Sequence, residues 1–348
     1  MENYLKNTDF EKIRDILGKS EKIVITTHTN PDGDAIGASL AMFLYLKKKG
    51  IQVSVIIPDT YPEFLAWLPE ANEIEVYEYH QDQCIDLVKS ADTIICIDFN
   101  SLSRLNELGD LVRNSPAMKI LMDHHLNPSV DFDLKISFDK TSSTSELIYD
   151  FITESGETVL IDRQIAECLY TGIITDTGSF SYSCNYVKTY QIIAELFRLG
   201  IDGEHIHRLI YDTYSESRLR LLGYAVSDAM TVVQEYHTAY IVLRKEDLNR
   251  FNYQVGDTEG VVNYALSIKD INLAALFMER DDHVKVSFRS KGNFSVDRLA
   301  REYFGGGGHT NASGANCRMS VDETINKFLS LLPDFQVKLS KVYNDKDE

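Results

Sequence analysis

The triplet Asp123-His124-His125 follows the apolar run Lys119-Ile120-Leu121-Met122, so a carboxylate and two imidazoles stand where a strand should stop. Such groups ligate metal ions. Three more clusters repeat the arrangement: His28, Asp32 and Asp34 in Thr27-His28-Thr29-Asn30-Pro31-Asp32-Gly33-Asp34, Asp98 after Ile94-Ile95-Cys96-Ile97, and Asp176 in Thr175-Asp176-Thr177-Gly178. Pro31 and Gly33 force a tight non-helical loop, from which one imidazole and two carboxylates can point inward. Each cluster has an ordinary structural explanation. Asp34 suits a helix N-cap, Asp98 suits a cap on Asn100-Ser101, and Asp176 suits a turn before Gly178. The coincidence of all four is harder to explain in that way.

Together His28, Asp32, Asp34, Asp98, His124 and Asp176 offer two imidazoles and four carboxylates, with Asp98 able to bridge. Two divalent ions about 3.5–4 Å apart fit such a set. Nitrogen and oxygen donors without thiolate suit manganese, with zinc, cobalt and magnesium less favoured. An ion pair of this kind ionises water near neutral pH and neutralises phosphoryl oxygens, which points to in-line attack on phosphorus.

The elements that must position these residues are legible in the first half. Lys22 to Thr27, Gln52 to Ile57, Thr93 to Ile97 and Ala117 to Met122 read as strands. Ile36 to Lys48, as an amphipathic helix, and Ile85 to Lys89 and Leu102 to Val112 alternate with them. The fold class expected is α/β: a mostly parallel sheet with helices on both faces, plus a smaller mixed α/β C-terminal domain across a cleft. In such sheets ligands collect beyond the carboxyl ends of strands, where His28, Asp98 and Asp123 all fall. Thr144 to Ser155 and Arg163 to Thr175 read as helices, with Ser143 or Thr144 as N-cap and Asp176 at the end of the second.

Val187 to Val226 is helical and charged and reads as a connecting segment. The boundaries expected are therefore 1–186 for a catalytic metal-binding domain, 187–226 for a helical linker and 227–341 for a substrate-binding domain. In the last of these, Ala239 to Leu243, Leu273 to Met278 and His283 to Arg289 are strands, and Val296 to Tyr303 is a helix leading into Phe304-Gly305-Gly306-Gly307-Gly308-His309. Backbone N–H groups of Gly306, Gly307 and Gly308 can cradle an anion, with His309 an added donor and Arg289 a guanidinium for a phosphate or base. A surface loop and a surface arginine are the plain alternatives.

Composition bounds the rest. In 348 residues, 44% hydrophobic and 25% charged residues describe a folded chain too long for one core. A formal charge of -18 argues against a binder of long nucleic acid, though not against nucleotides or short oligonucleotides. Five scattered cysteines read as reduced core thiols. No apolar stretch spans a bilayer, and the start, with Glu2, Lys6 and Asp9, is helix-like rather than a signal peptide, so the location expected is cytoplasmic, with no membrane partner. The polar residues from Lys341 to Glu348 are expected to fray.

On these motifs the chain resembles the DHH phosphoesterase superfamily, named for the triplet present as Asp123-His124-His125, and Gly305 to Gly314 resembles the first type of DHH-associated C-terminal domain. Spacing is most similar to the bacterial nanoRNase and 3'-phosphoadenosine 5'-phosphate (pAp) phosphatase group. The resemblance implies that His28, Asp32 and Asp98 hold one manganese and Asp34, Asp98, His124 and Asp176 the other. It implies that His125 contacts the scissile phosphate, Asp123 orients a histidine, and Arg289, Gly306, Gly307, Gly308 and His309 grip the nucleotide end of short RNA or a nucleotide phosphate. Relatives often pair through the catalytic domain, so a homodimer is a further expectation. Phe99-Asn100-Ser101 departs from the small hydroxyl residues usual after the aspartate, which leaves the role of Arg104 open. Competing readings are a cyclic or linear dinucleotide (c-di-AMP or pApA type) phosphodiesterase, an exopolyphosphatase or pyrophosphatase, and a non-catalytic nucleotide-binding regulator.

Overall fold

A computed structural model describes residues 9–341. The pattern at Glu2 and Lys6 and the tail after Lys341 lie outside the described residues. The chain divides into two compact units, Met1–Thr213 and Tyr214–Glu348.

The first unit runs α1 (Phe10–Leu17), β1 (Lys22–Thr26), α2 (Gly33–Lys48), β2 (Gln52–Ile57), β3 (Ile74–Val76), α3 (Gln81–Ser90), β4 (Thr93–Ile97), α4 (Glu107–Asn114), β5 (Met118–Asp123), β6 (Leu134–Ser137), α5 (Thr144–Glu154), α6 (Arg163–Asp176), α7 (Val187–Arg198) and α8 (Gly203–Tyr211). Its six strands pair in the order β3-β2-β1-β4-β5-β6, all parallel. The period-2 alternation of strand side chains sorts the core into two faces. Ile23, Ile25, Ile95, Ile97, Ile120 and Met122 point to the face covered by α1, α2, α5, α6, α7 and α8. Val24, Ile94, Cys96 and Leu121 point to the face covered by α3 and α4. The order of pairing reverses between β1 and β4, so their carboxyl ends flank the crevice of a doubly wound sheet.

α2 differs from the amphipathic helix expected, because every residue from Gly33 to Leu46 is buried. A helix apolar all round is a core helix, and α6 covers the face that sequence alone would leave to water. The approach is close because the crossing is made of glycine: a Cβ on Gly37 would lie 2.5 Å from the Cys168 carbonyl oxygen. The stretch from Leu102 to Val112 is also not one helix. A 3-10 turn at Leu102–Leu105 ends at Asn106, whose φ of 49° breaks the run before α4.

The second unit runs α9 (Glu216–Ser227), β7 (Met230–Val233), β8 (Thr238–Leu243), α10 (Lys245–Arg250), α11 (Val261–Leu266), β9 (Leu273–Glu279), β10 (Val284–Ser290), α12 (Val296–Leu299), β11 (Gly307–Gly308), β12 (Ala312–Cys317) and α13 (Val321–Ser340). Its sheet has the order β11-β12-β10-β9-β8-β7, mixed because only β8 and β9 run parallel. Phe277 and Phe288 pack on Phe328 of α13 on one face, with ring centroids 5.4 and 5.9 Å apart. α9 and α11 cover the other face. Of the segment read as a linker, α7 and α8 therefore pack on the first core and α9 on the second. The helix expected to reach Tyr303 changes to a π turn over Ala300–Phe304, closed by Gly305 with φ 67°. All five cysteines are buried and free. Among the described residues, no helix is long and apolar enough to cross a membrane.

Candidate metal centre

The loop after β1 places the first three groups. Asp32 is the N-cap of α2, its Oδ1 accepting from the backbone N–H groups of Asp34 at 3.1 Å and Ala35 at 3.0 Å. Capping therefore falls to Asp32, and Asp34, which sequence alone offers as the cap, is directed elsewhere. Its Oδ2 accepts from Thr144 N at 2.6 Å and its Oδ1 from Ser145 N at 2.9 Å, both at the start of α5. His28 Nδ1 donates to the Thr29 carbonyl at 2.8 Å. That bond fixes the tautomer and leaves the Nε2 lone pair available as a ligand.

Asp98 ends β4 in the left-handed region, with φ 65°. A non-glycine residue held there costs about 1–3 kcal/mol, which surrounding contacts must offset. Here the backbone N–H of Asp98 donates to Met122 O at 3.0 Å, and the Thr144 hydroxyl donates to Asp98 Oδ1 at 2.7 Å. Phe99 is buried against Phe132. Asn100 donates to Leu126 O at 2.7 Å, so the departure Phe99-Asn100-Ser101 anchors the loop that follows the histidine pair. Asp176, the last residue of α6, is carried to the site by the α2–α6 crossing.

Two groups of donors result. In each of the sets His28, Asp32 and Asp98, and Asp34, His124 and Asp176, one ligand atom per residue lies within 4.8 Å of the others. His28 Nε2 is 3.6 Å from Asp98 Oδ2, and His124 Nε2 is 3.5 Å from Asp98 Oδ1 and 3.4 Å from Asp176 Oδ2. The first separation is too long for a hydrogen bond. Atoms that share one ion at about 2.0–2.2 Å lie about 3–4 Å apart across its shell, which is the spacing found. Electrostatics agree. Burial, then the charges of Asp98 and Asp32, hold the Asp34 carboxyl well above its ordinary range. Burial also pushes Asp98 up, but His28, His125 and His124 outweigh it and hold that carboxyl below its ordinary range. Burial and His125 push His124 down, toward the neutral ligand form. Crowded, desolvated carboxylates beside the His124 imidazole, which burial holds toward its neutral form, fit a divalent cation.

Asp123, fully buried, belongs to a further close set with Asp98 and His125. Its Oδ1 accepts from His125 Nδ1 at 2.7 Å. Burial opposes the charged imidazole, yet Asp123 outweighs it and raises His125 to about 9, with Arg104 acting against the shift.

Ser143 and Thr144, both capping candidates in the sequence, have different uses in the fold. Ser143 is the cap, its Oγ accepting from Glu146 N at 3.1 Å, while Thr144 and Ser145 contact the carboxylates. The unused signal is Thr141-Ser142-Ser143-Thr144-Ser145, five consecutive hydroxyl residues that are all buried. Three of these hydroxyls are hydrogen-bonded there: Ser142 Oγ donates to Glu146, Ser143 Oγ accepts from Glu146 N and Thr144 Oγ1 donates to Asp98.

In the second unit Arg289 pairs across the ladder with Ala312, whose carbonyl accepts from His309 N at 2.7 Å, so these two expected substrate contacts are neighbours. The glycine run does not present a row of exposed donors. Gly306 N donates to Ala300 O at 3.1 Å and Gly308 N to Asp297 Oδ1 at 2.8 Å. Glycine is needed here for close approach: a Cβ on Gly306 would lie 2.0 Å from Gly314 O. Gly307 pairs with Gly314 in the short β11 ladder.

Comparison with known proteins places this geometry. The model of the DHH family N-terminal domain matches residues 22–173, and that of the DHHA1 domain matches residues 234–338. The crystal structure of an exopolyphosphatase-related protein from Bacteroides fragilis is 42% identical, covers 95% of this chain and 97% of its own, and superposes with a TM-score of 0.89. The bifunctional oligoribonuclease and PAP phosphatase NrnA of Thermus thermophilus is 29% identical over 88% of each chain. NrnA of Bacillus subtilis is 27% identical over 85% of this chain and 89% of its own. With both domains matched in order, the chain belongs to the DHH family and carries a DHHA1 domain, which makes it a phosphoesterase and therefore a hydrolase.

Proposed function

We propose that this protein is a manganese-dependent phosphoesterase that hydrolyses short oligoribonucleotides and 3'-phosphoadenosine 5'-phosphate. The observation that carries the reading is the convergence of six ligand residues from four separate segments beyond the carboxyl ends of one parallel sheet. In this reading His28, Asp32 and Asp98 hold one divalent ion, and Asp34, Asp98, His124 and Asp176 hold the second. The pair, when bound, supplies an ionised water near neutral pH and neutralises charge on the phosphoryl oxygens. Asp98 serves both groups, and its carboxylate is kept ionised by the imidazoles around it. His125, held through Nδ1 by Asp123, keeps a proton and offers Nε2–H to a phosphoryl oxygen. Asp123 is a positioning residue, fully buried and acting through His125.

The second unit supplies selection. Arg289 and His309 form the grip on the terminal nucleotide, and Gly306, Gly307 and Gly308 let the backbone come close to it. The acidic balance of the chain, -18, disfavours long polyanions that lack a terminus at the site. The test is a substrate panel with manganese: pAp, pApA, cyclic di-AMP, polyphosphate, and RNA of increasing length with 5' or 3' phosphates. Rates concentrated on pAp and the shortest RNA are expected. Equal rates on long RNA, or turnover of polyphosphate alone, would overturn the substrate assignment.

A further inference from the structure

The first turn of a helix leaves backbone N–H groups without intrahelical acceptors. In α5 these donors are used in an unusual way. Glu146 N goes to the Ser143 cap, but Thr144 N and Ser145 N each go to a different oxygen of Asp34, which lies on α2. The Thr144 hydroxyl turns to Asp98 Oδ1 at 2.7 Å, beyond β4. One residue therefore contacts a carboxylate from each of the two donor groups. Thr144 is completely buried, so its hydroxyl has no water to exchange for.

The turn is itself anchored from outside. Glu146 is buried, and its Oε2 accepts from Ser142 Oγ at 2.6 Å and from Thr189 Oγ1 of α7 at 2.7 Å. Lys188 of α7 pairs with Asp150 one turn further along α5. On the other side Gly172 of α6 leaves room only for the present arrangement, since a Cβ there would lie 1.9 Å from Ser145 Oγ and 2.6 Å from Asp34 Oδ1. α5 is thus fixed between α6 and α7 with its N-terminal turn against both carboxylates.

We infer that Thr144 is a positioning residue for the metal centre: its hydroxyl fixes the rotamer of Asp98 while its backbone N–H fixes Asp34, so the first turn of α5 sets the spacing between the two groups of ligands. This rests on the two-ion reading above. Groups that orient metal ligands are worth about 10- to 100-fold in metal affinity. Asp98, reached by the hydroxyl, is the carboxylate shared between the groups, so both ions should weaken together.

The experiment compares the full-length wild type with Thr144→Val, Thr144→Ala and Thr144→Ser. Manganese binding is measured by calorimetry without substrate, followed by kcat against manganese concentration and by a thermal melt of the metal-free proteins. Thr144→Val is expected to weaken manganese binding about 10- to 100-fold. Thr144→Ser, which keeps the hydroxyl, should restore affinity to near the wild-type value. Thr144→Ala removes the hydroxyl with less bulk beside Asp98 and gives the same answer if the valine variant does not fold. Unchanged manganese affinity in a folded Thr144→Val or Thr144→Ala protein overturns the inference while leaving the two-ion reading intact. A serine variant as weak as valine also overturns it, by showing that bulk and not the hydroxyl matters. A wild type that binds no manganese overturns both.

Discussion

Gly172→Ala is the sharpest perturbation of the site that replaces no proposed ligand. On an exposed helix, alanine in place of glycine adds about 1 kcal/mol of stability. At position 172 the new Cβ would sit 1.9 Å from Ser145 Oγ, which must turn away, 2.6 Å from Asp34 Oδ1 and 2.8 Å from Ser145 Cβ. Ordinary contact begins near 3.4 Å, so the carboxylate must retreat by about 0.8 Å unless α6 moves away from α2. Asp34 cannot retreat freely, because both its oxygens are bound to the backbone of α5. Overpacking of this kind costs about 1–3 kcal/mol, which cancels or exceeds the helical gain. A ligand displaced by about 1 Å costs about 100-fold in rate. The expected variant therefore melts within a few degrees of wild type but binds manganese weakly and turns over pAp about 100-fold more slowly. Gly223→Ala is the control, an exposed glycine inside α9 with nothing within 4 Å of a Cβ, and should gain stability with no change in rate. A Gly172→Ala protein with wild-type manganese affinity and kcat would refute the claim that the close approach of α6 at Gly172 leaves Asp34 room for only its present position.

Asp98→Asn and His124→Ala should each abolish product release while a cooperative melt persists, read by release of phosphate from pAp beside circular dichroism. Arg289→Ala should raise KM for pAp about 10- to 100-fold, the value of a lost charge-assisted hydrogen bond, with manganese affinity unchanged by calorimetry; a fall in kcat alone would argue against a binding role. Glu157 gives a pH test away from the site. Burial raises its pKa, but hydrogen bonds from Tyr45 and Lys49 outweigh that and hold it below the ordinary value. Its contribution to stability is therefore complete above the unfolded pKa of about 4.3 and is lost as pH falls through the folded value. Glu157→Gln should lower Tm at pH 7 and converge with wild type as the pH falls through that range; a gap that stays constant would contradict the assignment.

Much of the catalytic unit was legible because a parallel sheet writes itself as apolar runs that end in chemistry. Ile94-Ile95-Cys96-Ile97 before Asp98 and Ile120-Leu121-Met122 before Asp123 became β4 and β5, adjacent and in register. What sequence did not convey was how residues are used once packed. α2 read as amphipathic because periodicity cannot register a second layer of helix, and Gly33 and Gly37 reveal that layer only against Thr175 and Cys168. The hydroxyl run from Thr141 to Ser145 looked like a capping signal, and its contact with Asp34 joins residues more than a hundred positions apart. Gly305 to Gly308 suggested free backbone donors, whereas ladder pairing and Asp297 take part of that capacity. α13 is announced in the sequence only at its start, where Ser320 and Glu323 form a reciprocal capping box. Short strands such as β3 and β6 carry too few residues to show a period.

The most direct test of the central claim is an anomalous difference map recorded at the manganese absorption edge from crystals of the full chain equilibrated with manganese. Two peaks are predicted, one bounded by His28, Asp32 and Asp98 and one by Asp34, Asp98, His124 and Asp176. Manganese at other residues, or no peak at these two positions, would contradict the account.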